Sequence, residues 1–230
     1  KASIYGRAAA IKLPLTAEAA LTRLRWARER CHLSVDEYWH RVVFSDESRF
    51  GFTSDGRIRI WRRPRERYMT NCTVTRGESK KSLMFWGCIS YNGTGVLHLC
   101  TNHVNGDEYI SILEQGGIGI VSSAFDMIFQ QDNAPIHRSK VVQEWFEFKN
   151  VRVLDWPPYS PDMNPIENVW SQMKKALNSL PNRPRTLIEL EDALRQVWAN
   201  LSLSYIRSLF KSMPERLKLC IKNKGRPIRY

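Results

Sequence analysis

The sequence predicts an α/β fold in which a mixed five-stranded sheet is flanked by helices. An Asn-Gly turn joins the apolar segments 82–90 and 96–100, which is typical of an antiparallel hairpin. Strand patterns at 124–137 and 151–156 enclose a helical pattern, and the two strands of such a βαβ unit should be parallel. A further β-rich segment, 41–52, precedes them and supplies the fifth strand. Antiparallel and parallel pairs in one sheet make that sheet mixed.

The composition indicates a folded domain that binds a polyanion. Hydrophobic residues make up 43% of the 230 residues, which excludes a disordered chain. No apolar run is long enough to span a membrane, and the first residues lack a signal-peptide pattern. The net charge of +12 points to a nucleic acid more often than to another polyanion. A basic protein without such a partner is the alternative that charge alone leaves open.

The N-terminal part is predicted to be a linker followed by a helix. Residues 1–15 have little organised pattern, whereas a helical pattern begins at Thr16 and continues to about residue 32. Four arginines lie on the polar sides of this helix. Arginines in such positions most often face solvent, and we expect solvent exposure here rather than contacts with phosphates. The arginines on the polar sides of this helix are Arg23, Arg25, Arg28 and Arg30.

The first predicted strand carries an acid on its apolar face. Alternation places Val42, Phe44 and Asp46 on one face of the strand and Glu47 on the other. A carboxylate beside two apolar side chains costs free energy to bury unless something pairs with it. Asp46 is therefore predicted to be functional, and Glu47 to face solvent.

Residues 53–81 are predicted to form a basic insertion after the first strand. The segment has no helical period, and Trp61 and Tyr68 are interleaved among its cations. Cations mixed with aromatics suit contacts with phosphates and bases. A solvated loop or a protein-binding loop is the alternative. The cations are Arg57, Arg59, Arg62, Arg63, Arg65, Arg67, Arg76, Lys80 and Lys81.

A helix with Glu167 in its first turn is predicted in the C-terminal half. Asn164 is expected to cap this helix and Pro165 to begin it. A capping box between Asn164 and Glu167 is the purely structural interpretation of the acid. Further along the helix, Lys174 either contacts a DNA backbone or is solvated, and the basic tail 222–230 is expected to be extended. Apolar residues recur at helical spacing in Ile166, Val169, Trp170, Met173 and Leu177.

Asp46, Asp132 and Glu167 are predicted to form one site. They lie within a strand, at a strand end and at a helix start, and sites in α/β sheets gather beyond the carboxyl ends of parallel strands. If the two strands are neighbours, three carboxylates come together, and such a cluster requires cations. Two hard divalent ions, Mg²⁺ or Mn²⁺, suit these oxygen ligands. Paired ions of this kind promote in-line attack at a phosphodiester.

The chain also contains the motifs VVFSDES, FWGCIS, QQDNAPIH, WPPYSPDMNPIENVW and KNKGRPIRY. From about residue 10 to the C terminus, these motifs resemble the catalytic domain of Tc/mariner-superfamily transposases. Thirty-four residues, 133–166, separate Asp132 from Glu167. That spacing, with Glu as the third acid, resembles the Tc branch of the superfamily, whereas mariner elements proper have Asp there.

The resemblance implies a ribonuclease-H-like fold for residues 16–230 and a metal-bound triad of Asp46, Asp132 and Glu167. It implies two Mg²⁺ ions per active site, with Mn²⁺ able to substitute. The implied partner is double-stranded DNA: the family cuts terminal inverted repeats and joins the freed 3′-hydroxyls to a TA target, usually as a homodimer in the nucleus. Residues 53–81 correspond to the family's insertion, which is implicated in dimer and DNA contacts.

Two residues near the second acid match the same family motif. Asn133 and His137 correspond to positions that orient a phosphate or the metal ligands. For His137, an ordinary residue at a helix start is an equally good interpretation.

The chain departs from the family pattern in two places. The family's pair of N-terminal helix-turn-helix domains is not in this sequence, so we expect end recognition to lie outside it and residues 1–15 to be the linker. The sequence RGESKKS, with Gly77 alone, stands where many relatives have a glycine-rich run. This difference affects the predicted shape of a loop and not the triad.

Two other functions are compatible with part of this pattern. The first is a domesticated or inactive transposase-derived protein that binds DNA without cutting it, which the intact triad disfavours. The second is a ribonuclease-H-like nuclease that acts on RNA–DNA hybrids. The motif WPPYSPDMNPIE and the spacing of the last two acids disfavour the second function.

Overall fold

The protein is described by a computed structural model that covers residues 15–52, 82–101, 104–118 and 126–229. Its five-stranded sheet has the order β3-β2-β1-β4-β5. The three antiparallel strands pair as β1–β2 and β2–β3, whereas β4 pairs parallel to both β1 and β5. The mixed five-stranded sheet is therefore confirmed. The strands are β1 Val42–Gly51, β2 Ser82–Ser90, β3 Gly93–Cys100, β4 Ile128–Gln130 and β5 Arg152–Val153.

Helices cover both faces of the sheet, and the strand alternation decides which side chains each face buries. Val42 and Phe44 belong to the core beneath α1 and α4 to α7, and Val43 belongs to the core beneath α2 and α3. In the described ranges, no helix is long and apolar enough to cross a membrane. The helices are α1 Ala17–Arg30, α2 Gly106–Gln115, α3 Lys140–Phe148, α4 Ile166–Asn178, α5 Leu187–Ala199, α6 Leu203–Lys211 and α7 Met213–Lys222.

The parallel strands β4 and β5 are shorter than the sequence pattern predicted. Residues 126–137 of the predicted strand 124–137 are described, and among them only Ile128–Gln130 forms a strand. Asp132 accepts a hydrogen bond from the backbone N–H of Ala134 at 2.9 Å, and the N–H of His137 donates to the carbonyl of Ala134 at 3.0 Å. These local bonds turn the chain away from the sheet, so Asp132 lies just beyond the end of β4.

The prediction that the arginines of α1 face solvent is wrong for Arg23. The helix begins where the pattern predicted, with Thr16 as its N-cap accepting a hydrogen bond from the N–H of Ala19 at 3.1 Å, but the Arg23 side chain is 0% exposed. Its guanidinium pairs with Asp162, at 2.6 Å. A helical period places Arg23 on a polar side, yet the period cannot show that an acid far along the chain covers it.

The basic C-terminal tail packs against α1 and is not simply extended. Gly225 has a φ of +76°, and a Cβ placed there would lie 1.8 Å from the carbonyl oxygen of Ala20. Ile228 is buried in the larger core. The predicted linker is outside the described residues except for residue 15, and the predicted insertion 53–81 is wholly outside them.

Candidate active site

Asp46 lies on β1 with its carboxylate directed towards α4. The indole N–H of Trp170 donates to Oδ2 of Asp46 at 3.1 Å. Gly87, the partner of Asp46 on β2, makes room for that indole, because a Cβ at Gly87 would lie 2.7 Å from the Trp170 ring. The polar partner that the sequence required for Asp46 is therefore the last tryptophan of the motif WPPYSPDMNPIENVW.

Asp132 is brought beside Asp46 by the parallel pairing of β1 with β4. Phe44 pairs with Gln130, and each acid lies two residues further along its own chain. Because the strands run in the same direction, both acids reach the carboxyl-end side of the sheet.

Glu167 comes to the same place through the loop that precedes α4. The side-chain amide of Asn164 donates to the carbonyl of Ser45 at 3.1 Å and to Oε1 of Gln130 at 3.2 Å. Asn164 is buried and so ties the start of α4 to both β1 and β4. The elements that carry the three acids are thus joined by one side chain.

The capping-box interpretation of Glu167 is not what the structure shows. The helix begins at Ile166, whose N–H donates to Oδ1 of Asn164 at 3.3 Å. A capping box would also need Glu167 to accept from the backbone N–H of Asn164, but that group donates to the carbonyl of Pro161 at 3.0 Å. Within the described ranges, the Glu167 carboxylate accepts no hydrogen bond and is free to serve the site.

The three carboxylates line one cavity of about 460 Å³. Burial raises the pKa of Asp46 well above its ordinary value, and repulsion from Glu167 and then Glu47 raises it further. Burial also raises the pKa of Glu167, against the opposing charge of Lys174. Negative charge is therefore costly here without a cation. The rest of the lining is formed by Asn133, Ala134, Trp156, Pro157, Pro158, Tyr159, Ser160, Pro161 and Asn164.

The donor set of this cavity fits a hard divalent cation. Carboxylate oxygens are what Mg²⁺ and Mn²⁺ prefer, and a cation would relieve the repulsion between Asp46 and Glu167. In the described ranges, no three His, Cys, Asp or Glu side chains already form a metal-binding group. The three acids therefore surround the cavity without converging on one point.

His137 supports Asp132 from the side away from the cavity. Its Nδ1 lies 2.7 Å from Oδ1 of Asp132, its Nε2 lies 3.4 Å from Oε1 of Glu47, and its ring stacks on Tyr109 with centroids 4.3 Å apart. Burial alone would lower the pKa of His137, but the bonds to Asp132 and Glu47 outweigh it and raise the pKa to about 9. The bond from His137 in turn lowers the pKa of Asp132.

Comparison with known proteins identifies the family. A family model described as DDE superfamily endonuclease matches residues 41–191, a range that contains all three acids. The chain is 35% identical over 243 residues to the Tcb2 transposase of Caenorhabditis briggsae and 32% identical over 240 residues to the Tc1 transposase of Caenorhabditis elegans. Both alignments cover 100% of this chain, and they cover 84% and 85% of the relatives. The chain belongs to the Tc/mariner transposases of the DDE superfamily.

Solved structures confirm the fold of this transposase catalytic domain. The Mos1 transposase in a paired-end complex with the left transposon end gives a TM-score of 0.78 at 21% identity, over 100% of this chain and 68% of that chain. The isolated catalytic domain of the Mos1 mariner transposase gives 0.74 at 19% identity, over 95% of this chain and 100% of that chain. The fold is ribonuclease-H-like, as the sequence resemblance implied.

Glu47 is a residue of the transposase domain that sequence reasoning missed. It was predicted to face solvent, but its side chain is only 27% exposed and lies against His137. Alternation correctly placed Glu47 on the face opposite Asp46, and that face is covered by α2. Its place beside Asp46 in the motif VVFSDES was the available signal.

The remaining predicted site residues divide into two groups. Asn133 lines the cavity and donates to the carbonyl of Trp156 at 2.7 Å, whereas Lys174 is half-buried and donates to Oγ of Ser48 at 3.2 Å. The cations of 53–81 lie outside the described residues, so their contacts with DNA stay a prediction. The predicted DNA contacts among these cations are Arg57, Arg59, Arg62, Arg63, Arg65, Arg67, Lys80 and Lys81.

Proposed function

We propose that this transposase domain cleaves phosphodiester bonds at transposon ends and joins the freed strands to target DNA, with Asp46, Asp132 and Glu167 as its metal ligands. One observation carries the proposal: the three carboxylates line a single cavity in which Asp46 and Glu167 repel one another. Mg²⁺ is the proposed physiological ion, two per site, and Mn²⁺ substitutes. The Mos1 catalytic-domain structures named with Mg and with Mn support this choice.

Each acid has a defined task in the proposed reaction. Divalent ions, when bound, activate the attacking oxygen and stabilise the leaving oxygen. Asp46, which Trp170 holds in place, and Asp132 would together bind one of the ions. Glu167 would help to bind the second ion.

The chain presents one oxygen of Asp132 to the cavity. Its Oδ1 is occupied by His137 at 2.7 Å and by the N–H of Ala134 at 2.9 Å. Its Oδ2 accepts no hydrogen bond from the described residues and is the proposed metal ligand. His137 thus orients a ligand, and we infer that it does not contact DNA. Asn133 holds the chain beyond β4 against the chain beyond β5, which shapes the wall of the cavity.

The proposed partner is double-stranded DNA. The net charge of +12 and the basic insertion favour it, and Mos1 structures are named as paired-end and strand-transfer complexes. We propose that the transposon inverted repeats and a TA target are bound by a homodimer, in the nucleus, where genomic DNA lies. Lys174 and the cations of 53–81 are the proposed backbone contacts.

A strand-transfer assay tests the proposal. Pre-cut transposon-end DNA with a 3′-hydroxyl is mixed with a TA-rich target in Mg²⁺, Mn²⁺ or EDTA, using the full-length transposase so that end recognition is supplied. We expect joining at TA that requires a metal and disappears with Glu167→Gln. DNA binding without joining in either metal would instead identify a non-cutting descendant. Cleavage of an RNA–DNA hybrid in preference to DNA would identify a hybrid-specific nuclease.

A further inference from the structure

Two buried arginines converge on the loop that precedes Glu167. Arg23 on α1 is 0% exposed, and Arg216 on α7 is 1% exposed. Arginine is almost never fully buried unless it is paired, because its charge must be compensated away from water. The compensation comes from the segment 159–168, which contains the motif around Glu167.

Arg23 binds this loop through nearly its whole guanidinium. Its Nη1 and Nη2 donate to the two carboxylate oxygens of Asp162 at 2.8 and 2.6 Å. Nη1 also donates to Oγ of Ser160 at 2.7 Å and to the carbonyl of Tyr159 at 2.8 Å, and Nε donates to the carbonyl of Gly225 at 2.8 Å. A forked, bidentate pair of this kind fixes orientation as well as distance.

Asp162 and Arg216 extend the contact to α4. Oδ2 of Asp162 also accepts from the backbone N–H of Ile228 at 2.8 Å, which brings the C-terminal tail to the same carboxylate. Arg216 donates to the carbonyl of Asp162 at 3.2 Å and to Oδ1 of Asn168 at 2.6 Å. Asn168 follows Glu167 in the first turn of α4, so the contacts lie on both sides of the acid.

The contacts of Arg23 and Arg216 act against the repulsion between the carboxylates of the site. The pKa of Asp46 is raised in part by Glu167, so the two carboxylates repel one another when no cation lies between them. This repulsion would favour a larger distance between Glu167 and Asp46 if contacts outside the cavity did not hold the backbone of Glu167. Such supporting contacts keep ligands in place and preserve metal affinity.

We propose that Arg23 is a positioning residue, which through its pair with Asp162 holds Glu167 at the distance from Asp46 that metal binding requires. The inference rests on the proposed role of Glu167 as a metal ligand. It gives the residues of the motif SPDMNPIE separate tasks: Ser160 and Asp162 bind Arg23, Asn164 binds the strands, and Glu167 faces the cavity.

Three variants change the Arg23 contacts to different extents. Arg23→Lys keeps the charge but loses the fork, and Asp162→Asn keeps the shape but loses the charge. Ser160→Ala removes one acceptor and leaves the Arg23–Asp162 pair intact, so it should fold even if the others do not. Arg28→Lys is the matched control, because Arg28 is an exposed arginine of the same helix.

The experiment measures Mn²⁺ binding to the DNA-free protein by calorimetry, below the melting temperature of each variant, with the metal dependence of strand cleavage alongside. We expect Arg23→Lys and Asp162→Asn to weaken Mn²⁺ binding roughly 10–100-fold. Ser160→Ala should give a smaller loss, Arg28→Lys none, and DNA binding in EDTA should not change. A purely structural pair would lower the melting temperature but leave Mn²⁺ affinity of the folded protein at the wild-type value.

Glu167→Gln, measured in parallel, separates the two proposals. If Glu167→Gln weakens Mn²⁺ binding while all folded Arg23, Asp162 and Ser160 variants match the wild type, the positioning role is overturned and the proposed function stands. If Glu167→Gln itself leaves Mn²⁺ binding unchanged, its role as a ligand is overturned together with the positioning role.

Discussion

Nδ1 of His137 lies 2.7 Å from Oδ1 of Asp132, which leaves the other oxygen of that acid for the cavity. The opposite ring nitrogen faces Glu47, the neighbour of Asp46 on β1. A single imidazole therefore connects the segments that carry the first two acids.

The two nitrogens of His137 can be tested separately. The amide of His137→Asn can occupy the Nδ1 position and still donate to Asp132, whereas the amide of His137→Gln suits the Nε2 position and Glu47. Both variants lose the stacking on Tyr109 equally. We expect metal-dependent cleavage to fall roughly 10–100-fold in His137→Gln and less in His137→Asn, measured as a function of Mg²⁺ concentration. Equal losses would show that packing on Tyr109, not orientation of Asp132, is the contribution of His137.

Removing any one acid of the triad should abolish cleavage. Asp46→Asn, Asp132→Asn and Glu167→Gln keep the shape of each side chain but remove a charged metal ligand. Gel-based cleavage and DNA-binding assays should show lost cleavage with binding largely intact. Asp155→Asn is the matched control, because Asp155 is exposed and does not line the acidic cavity. Cleavage that survives one of the three substitutions would refute the assignment of that residue.

Stability should depend on pH through His137. Its pKa is about 9 in the folded protein and 6.5 in its ordinary state. Below pH 6.5 both states carry the proton and the full stabilisation is present; as pH rises towards 9, the unfolded state loses its proton first and the stabilisation is lost. The free energy of unfolding should fall by up to about 1.4 kcal/mol per pH unit more than in His137→Asn.

Urea unfolding in EDTA between pH 6 and pH 9 measures this difference. The comparison with His137→Asn removes the contribution of other groups that titrate in the same range. A difference in unfolding free energy that stays constant with pH would contradict the charged imidazole.

Reversing charge in the basic insertion should weaken DNA binding. If Arg62, Arg63 and Arg65 contact phosphates as predicted, glutamate at these positions removes the contacts, and each lost contact reduces the magnitude of the slope of log affinity against log salt by about 0.9. Fluorescence anisotropy over a salt series measures both quantities. Unchanged affinity and slope would mean that residues 53–81 contact a protein partner, such as the second copy of the chain.

Much of the fold could be predicted because its signals are local. The helical pattern from Thr16 to about residue 32 matches α1 Ala17–Arg30, and the hairpin around the Asn-Gly turn matches β2 and β3. Strand ends were less predictable. Beyond β4, the hydrogen bond from the N–H of Ala134 to Asp132 turns the chain away from the sheet. The sequence pattern of residues 124–137 shows no break at this point.

The sequence by itself determined the fold class and the spacing between the last two acids, and it predicted the three acids that line the cavity, because periodicity and motifs lie in adjacent residues. Only the tertiary structure decided that Arg23 is buried and that Glu47 faces His137. The partner of Arg23 lies 139 residues away, and Asn164 reaches Ser45 across 119 residues. Whether a charged side chain is solvated or paired depends on what folds against it, and no local pattern contains that information.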